Sequence, residues 1–341
     1  MLLGACGPTP TPPPASDFDI LAQNAEGYQQ ARPGTPLSFP RDHGPHPDYR
    51  VEWWYLTANL FAADGTPYGV QWTLFRQALA PQPDDVGTNP WLGRQVWMAH
   101  AAVSTSSEHF SFQRYARGGT HGGLAQAGVA TQPFAAWLDD WRLESVGADW
   151  LPLTVSARDD GVSFELALSS DRAPVPQGDA GFSQKHPEGG GSMYYSHPWL
   201  QATGTLTIDG QVIEVTGDAW LDREWSSQFL QPDQQGWDWF ALHLDSGEKL
   251  MLYRLRGSEG ADDYAHGVLL SPGGTRRLLD HQAIDFRPVE WSRVAGRRLP
   301  TDWVIELSEL NRTLRVTALH PDQWMATDFA YWEGVVTVSG D

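Results

Sequence analysis

Apolar and polar residues alternate in short runs along most of this chain, and Asp-Gly or Gly-rich turns separate the runs. Side chains of a strand point to opposite faces in turn, so a period of two predicts a strand with one covered face. The pattern predicts strands over 51–61, 68–76, 95–104, 108–115, 151–159 and 162–169, then over 201–208, 212–217, 237–244 and 249–256. Shorter ones follow near 267–270, 283–288, 302–308, 313–318 and 330–338. A further short strand is expected near 136–145, and the stretch 134–141 could equally be an amphipathic helix. Long polar loops are expected near 77–90, 118–128 and 171–192. So many short, turn-punctuated strands indicate an all-β sandwich or barrel.

In 51–61 one face carries Glu52, Trp54, Leu56, Ala58 and Leu60, and the other Trp53, Tyr55, Thr57 and Asn59. A carboxylate therefore stands in line with a large indole. The segment 237–256 echoes 53–76: an aromatic-rich strand turns at a glycine and returns as an apolar strand ending in arginine, which points to two related units. Residues 1–35 show no periodic apolar pattern and read as leader and linker. The expected domains are 36–195 and 196–341.

The composition narrows the function. A formal charge of -19 and the lack of any basic tract exclude a nucleic-acid partner. Seventeen tryptophans among 41% apolar residues indicate a globular protein with unusually many large, rigid side chains. The single cysteine excludes an intrachain disulfide. It lies in Leu3-Gly-Ala-Cys6, the pattern of a bacterial lipobox, and a Pro-rich tether follows it. The reading is lipidation at Cys6, with the body anchored to a membrane on the periplasmic or extracellular side of the cell envelope. The usual basic and apolar leader before such a cysteine is almost wholly missing.

Chemistry concentrates in Trp220-Leu-Asp-Arg-Glu-Trp225. On a strand Asp222 and Glu224 share a face with Trp220, and Arg223 and Trp225 share the other. A carboxyl among indoles is expected to hold its proton near neutrality, as protonation of an alkene requires. The alternative is structural, an ion pair of Arg223 with Glu52 or Glu224 plugging a junction. His43 and His46 lack a third ligand nearby, so no metal is expected. His100 alternates with apolar residues and is expected to point inward, either as a satisfied core histidine or as a ligand contact, and His197 to sit at the seam between the units, its role open. There is no Gly-x-Ser-x-Gly elbow, P-loop, dinucleotide fingerprint or His-Glu-x-x-His, and no cofactor is expected.

Five motifs carry a family resemblance. Arg41-Asp-His-Gly-Pro-His46 followed by Glu52-Trp-Trp-Tyr55 resembles the N-terminal signature of the AttH-like family, a lipocalin-like group that includes the carotenoid 1,2-hydratases. Tyr194-Tyr-Ser196, Gly217-Asp-Ala-Trp-Leu-Asp-Arg-Glu-Trp225, Gly236-Trp-Asp-Trp-Phe240 and Tyr331-Trp-Glu-Gly334 follow in the family's order. The resemblance implies two tandem lipocalin-like antiparallel barrels and an apolar or amphipathic ligand in an aromatic cup. It also implies a permease of ABC-type export as partner. In the hydratases a His-x-Trp and a Tyr-x-Asp carry catalysis. Here Arg223-Glu-Trp225 and Tyr253-Arg-Leu255 stand at those places, so the family's acid is replaced by leucine.

The sequence therefore supports a ligand-binding lipoprotein first. The alternative is a hydratase or isomerase acting on a terpenoid or polyene, and the weaker alternative a secreted hydrolase. The candidate catalytic residues are Asp222, Glu224, Glu52 and Tyr253. The candidate ligand contacts are Trp53, Trp54, Tyr55, His100, Tyr195, His197, Trp220, Arg223, Trp225 and Trp239.

Overall fold

The computed structural model describes residues 25–81, 94–117 and 126–340; Cys6 and its linker lie outside them. The chain is antiparallel throughout its ladders. The first strands are β1 (Val51–Ala62), β2 (Pro67–Ala78), β3 (Gln95–Ser104), β4 (His109–Arg117), β5 (Ala127–Thr131), β6 (Phe134–Leu138) and β7 (Trp141–Ser145). Then come β8 (Leu153–Asp159), β9 (Val162–Ser169), β10 (Val175–Pro176), β11 (Phe182–Gln184), β12 (Gly191–Ile208) and β13 (Gln211–Ser226). These thirteen form one sheet, in the order β4-β3-β2-β1-β13-β12-β9-β8-β7-β6-β5, with β10 and β11 flanking β12. Its two ends curl toward each other, and β6 packs beside β4, giving a nearly closed barrel. The stretch 134–141 is strand, because Phe134, Ala136 and Leu138 are buried on a period of two.

The remainder holds β14 (Gln234–His243), β15 (Lys249–Gly257), β16 (Tyr264–Leu270), β17 (Arg276–Leu279), β18 (Ile284–Val294), β19 (Arg297–Leu307) and β20 (Arg312–Ala318). A small hairpin of β21 (Trp324–Met325) and β22 (Tyr331–Trp332) precedes β23 (Val336–Gly340). Strands β14 to β17 make one four-stranded sheet, and β18, β19, β20 and β23 another. Leu250, Leu252, Phe286, Ile305 and Val316 pack between them. A second hydrogen-bonded barrel is therefore not what forms: among the described residues no ladder joins these two sheets.

Two expectations change. The division at 195/196 falls inside β12, whose partners are β9 and β13, so the first sheet runs on to Ser226. The barrel interior is also no open cup. Trp54, Trp72 and Trp141 are fully buried there with Leu56, Leu60, Leu74 and Leu143. Close-packed indoles leave such an interior to its own side chains.

Burial alternates along β1 as the period of two requires. Trp54, Leu56, Ala58 and Leu60 fill the barrel, while Trp53, Tyr55, Thr57 and Asn59 lie on its outer face. That outer face is covered by the C-terminal half. Strand β15 serves both sides, with Leu250 and Leu252 in the C-terminal core and Met251, Tyr253 and Leu255 packed on the seam with Tyr194, Trp220 and Phe229. The last segment lies across the seam. Gly69 permits its close approach, since an added Cβ would come 2.1 Å from Val335.

Candidate functional site

The register of the first sheet sets one polar row on its outer face. His100 pairs with Thr73, Thr73 with Tyr55, Tyr55 with Asp222, and Asp222 with Ser196. Directly paired residues share a face, so the strands deliver these side chains side by side against the C-terminal half.

Asp222 is the centre of the row and is buried. The Tyr194 hydroxyl donates to its Oδ1 at 2.8 Å, the Trp220 indole N–H donates to the same oxygen at 2.8 Å, and the Ser196 hydroxyl is a third donor. Gln177 donates to Ser196 at 2.8 Å and fixes that hydroxyl. Loss of water pushes the Asp222 carboxyl up to about 7, against the three hydrogen bonds, which favour the ionised form. Because all three donors converge on Oδ1, a neutral Asp222 carries its proton on Oδ2.

Glu224, two residues on, faces the same seam but is neutralised. Lys185 pairs with it at 2.9 Å, and Ser192 donates to the same oxygen. The Lys185 ammonium sits 4.2 Å over the Tyr253 ring and near Tyr194 and Phe229. Tyr253 donates to the Gln184 carbonyl at 2.5 Å and stacks beside His266. Glu224 and Tyr253 are thus held in an ion-paired aromatic cage.

Glu333 reaches the seam from the last segment. Tyr55 donates to its Oε2, Tyr331 lies next to it, and Tyr331 is within 3.1 Å of His100 Nδ1 and 3.3 Å of Gln71 Nε2. Burial pushes the Glu333 carboxyl up to about 7, against the Tyr55 hydrogen bond, and the Asp222 charge adds to the rise. Burial lowers His100 to about 4, so it is neutral at pH 7. A cleft of about 110 Å³ opens beside Glu333, lined by Asn59, Gln71, His109, Trp239, Trp303 and Trp332. It is smaller than the ~150 Å³ cavity that holds a benzene.

The other sequence candidates lie elsewhere. Glu52, Trp54, Arg223 and Trp225 share the inner face at one end of the barrel. Glu52 is ion-paired to both Arg76 and Arg223 and accepts from the His46 backbone N–H at 3.0 Å. Burial pushes its carboxyl up, but the two guanidiniums outweigh this and hold it well below the usual carboxylate range. Glu52 is therefore an ionised structural anchor and no proton donor. The Arg223 guanidinium lies 3.8 Å over Trp54 and 4.9 Å from Trp225. Tyr195 pairs with Arg223 across strands and bonds His43 Nδ1 at 2.7 Å. His197 is buried opposite Leu221, on the barrel side of β12. His100, in contrast, faces the seam and no barrel interior, because it is paired with Thr73 on the outer face. Trp53, Tyr55, Trp220 and Trp239 also line the seam.

Five contributors to these clusters are not among the candidates read residue by residue: Lys185, Tyr194, Ser196, Tyr331 and Glu333. Lys185 lies in a stretch with no periodicity. The others belong to quoted motifs, Tyr194-Tyr-Ser196 and Tyr331-Trp-Glu-Gly334, which was the available signal. Among the described residues no cluster of three or more His, Cys, Asp or Glu side chains is placed to hold a metal.

This geometry can be set beside known proteins. A solved AttH protein of Nitrosomonas europaea is similar, with 33% identity over 92% of this chain and 95% of that one and a TM-score of 0.80. Kievitone hydratase of Nectria haematococca shares the fold at 17% identity, over 92% of this chain and 93% of that one, with a TM-score of 0.67. CghA with Sch210972 is a more distant likeness, at 14% identity over 94% and 92% and a TM-score of 0.52. No curated protein matches the sequence. The AttH-like family model matches residues 30–341. On this match and the similarity to the Nitrosomonas protein, the chain belongs to the AttH-like family.

Proposed function

We propose that this chain is a hydratase-type acid catalyst that adds water to an alkene of an apolar, terpenoid-like substrate, or removes it, with Asp222 as proton donor. The observation that carries the reading is the buried Asp222 carboxyl, anchored by three donors on one oxygen and so presenting a proton on the other. A carboxyl that stays neutral near pH 7 is the group that alkene protonation needs. Trp53, Trp220 and Trp239 surround the seam with π-faces that stabilise positive charge on carbon. The likeness to a hydratase supports the same reaction class at the level of a shared fold.

Lipid carriage linked to ABC-type export is the second reading, and the Leu3–Cys6 lipobox favours it. The filled barrel interior offers no cup for an acyl chain or for a terpenoid, so under either reading the ligand meets the protein at the seam. The two separate by incubating the protein with geraniol and lycopene in ¹⁸O-water and examining the products by mass spectrometry. Addition of one labelled water by the wild type, lost in Asp222→Asn, supports the catalyst. Unaltered probe that co-elutes equally with both proteins supports the carrier.

A further inference from the structure

We propose that Glu333 is a second catalytic carboxylate, the base that takes the proton of the attacking water, with Tyr55 and the Tyr331–His100 pair as its positioning residues. The inference rests on the reading of Asp222 as acid and supplies the half of the reaction that Asp222 cannot perform. Three independent features place the base there. Glu333 lines the cleft at the seam, so it meets whatever small polar molecule enters. Tyr55, which donates to it, is the direct cross-strand neighbour of Asp222, and the Asp222 charge acts on the Glu333 carboxyl, so the two acids stand on neighbouring parts of one seam. Two buried polar atoms on the same face, His100 Nε2 and Gln71 Oε1, have no partner among the described residues. Buried polar atoms are otherwise almost always paired, and these suit a bound water or a substrate hydroxyl.

The step balances without a further reactant. The Oδ2 proton of Asp222 passes to one alkene carbon, and the π pair becomes the new C–H bond, leaving a cation on the other carbon. Water oxygen attacks that carbon as a C–O bond forms, and Glu333 accepts the released proton. Proton exchange with solvent then restores neutral Asp222 and ionised Glu333. The groups around Glu333 leave it free to act so. Tyr55 from β1, Tyr331 from its own segment, Gln71 from β2, His109 from β4 and Asp222 from β13 face it, and burial keeps His100 and His109 neutral. Among the described residues no lysine or arginine pairs with Glu333, in contrast to Glu52 and Glu224.

The test is infrared difference titration of the carboxylic C=O bands in the full chain, needing no substrate, for wild type, Asp222→Asn, Glu333→Gln and Tyr55→Phe. The wild type is expected to lose two carboxyl bands in two steps. Each single substitution should remove one band and move the survivor's midpoint down by about one pH unit or more, as release of a like charge requires. Tyr55→Phe keeps both carboxyls and should raise the Glu333 midpoint. If the Glu333 midpoint is the same with and without Asp222, the pair does not exist and the proposal is overturned. On any probe that the wild type hydrates, Glu333→Gln should cut ¹⁸O-water addition by ~100-fold or more. Full activity in that variant, with Asp222→Asn inactive, overturns the base and leaves the acid standing. If the wild type hydrates none of the probes, the hydratase reading falls and takes the catalytic role of Glu333 with it, whereas uncoupled midpoints in a protein that does hydrate overturn the Glu333 proposal alone.

Discussion

Replacing Asp222 by asparagine should make the protein more stable while removing its acid. Asparagine copies the neutral carboxyl: its oxygen still accepts from Tyr194, Ser196 and Trp220, and its amide nitrogen stands where Oδ2–H was. In the wild type the folded-state pKa is raised from 3.8 to about 7. The unfolded chain therefore ionises Asp222 above pH 3.8, while the folded chain holds it neutral until about 7. Stability is whole below the lower value, falls between the two, and is flat above. At ~1.4 kcal/mol per pH unit the wild type gives up about 4 kcal/mol across that window. Asparagine ionises in neither state, so Asp222→Asn should match the wild type at pH 4 and exceed it by about 4 kcal/mol at pH 8. Urea unfolding at pH 4, 6 and 8, with equal m-values, measures this. An advantage that does not grow from pH 4 to pH 8 would refute the desolvated acid.

Opposite behaviour is expected at Glu52. Glu52→Gln strands two buried guanidiniums and should destabilise by about 3–5 kcal/mol in urea unfolding; since the Glu52 pKa is depressed, the wild-type contribution is present above its ordinary 4.5 and fades as the pH falls through the lower folded value. The double variant Glu224→Gln with Lys185→Met should cost less than the sum of the two single changes, because each single change leaves a buried charge unpaired. A double-mutant cycle in unfolding free energy measures that coupling. Ser196→Ala or Tyr194→Phe removes a donor that favours ionised Asp222 and should move the limb of the pH–rate profile set by Asp222 upward. Trp54→Ala should cost about 3–5 kcal/mol by leaving a cavity in the barrel.

Much of the fold follows from period two. The alternation at Val51–Ala62 separates Glu52 and Trp54 from Trp53 and Tyr55, and the structure keeps that division as barrel interior against seam. The same rule puts Asp222 and Glu224 with Trp220 on one face. What alternation lacks is the identity of the opposing surface. Asp222 meets Tyr55 through β1–β13 pairing over a separation of more than 150 residues, and Glu333 arrives from a final segment whose local sequence gives no register. His100 was misplaced for the same reason: a face can be assigned from sequence, but which face is covered by a second unit cannot. The cup failed because large indoles fill a barrel as readily as they line one.

Site-resolved ¹³C NMR of the aspartate carboxyls, titrated from pH 3 to 9, addresses the seam acid most directly. The Asp222 resonance, identified by its absence in Asp222→Asn, should hold its neutral shift past pH 5 and turn over near 7. A midpoint near the ordinary 3.8 would contradict it, leaving Asp222 an ionised structural carboxylate and the seam without a proton donor.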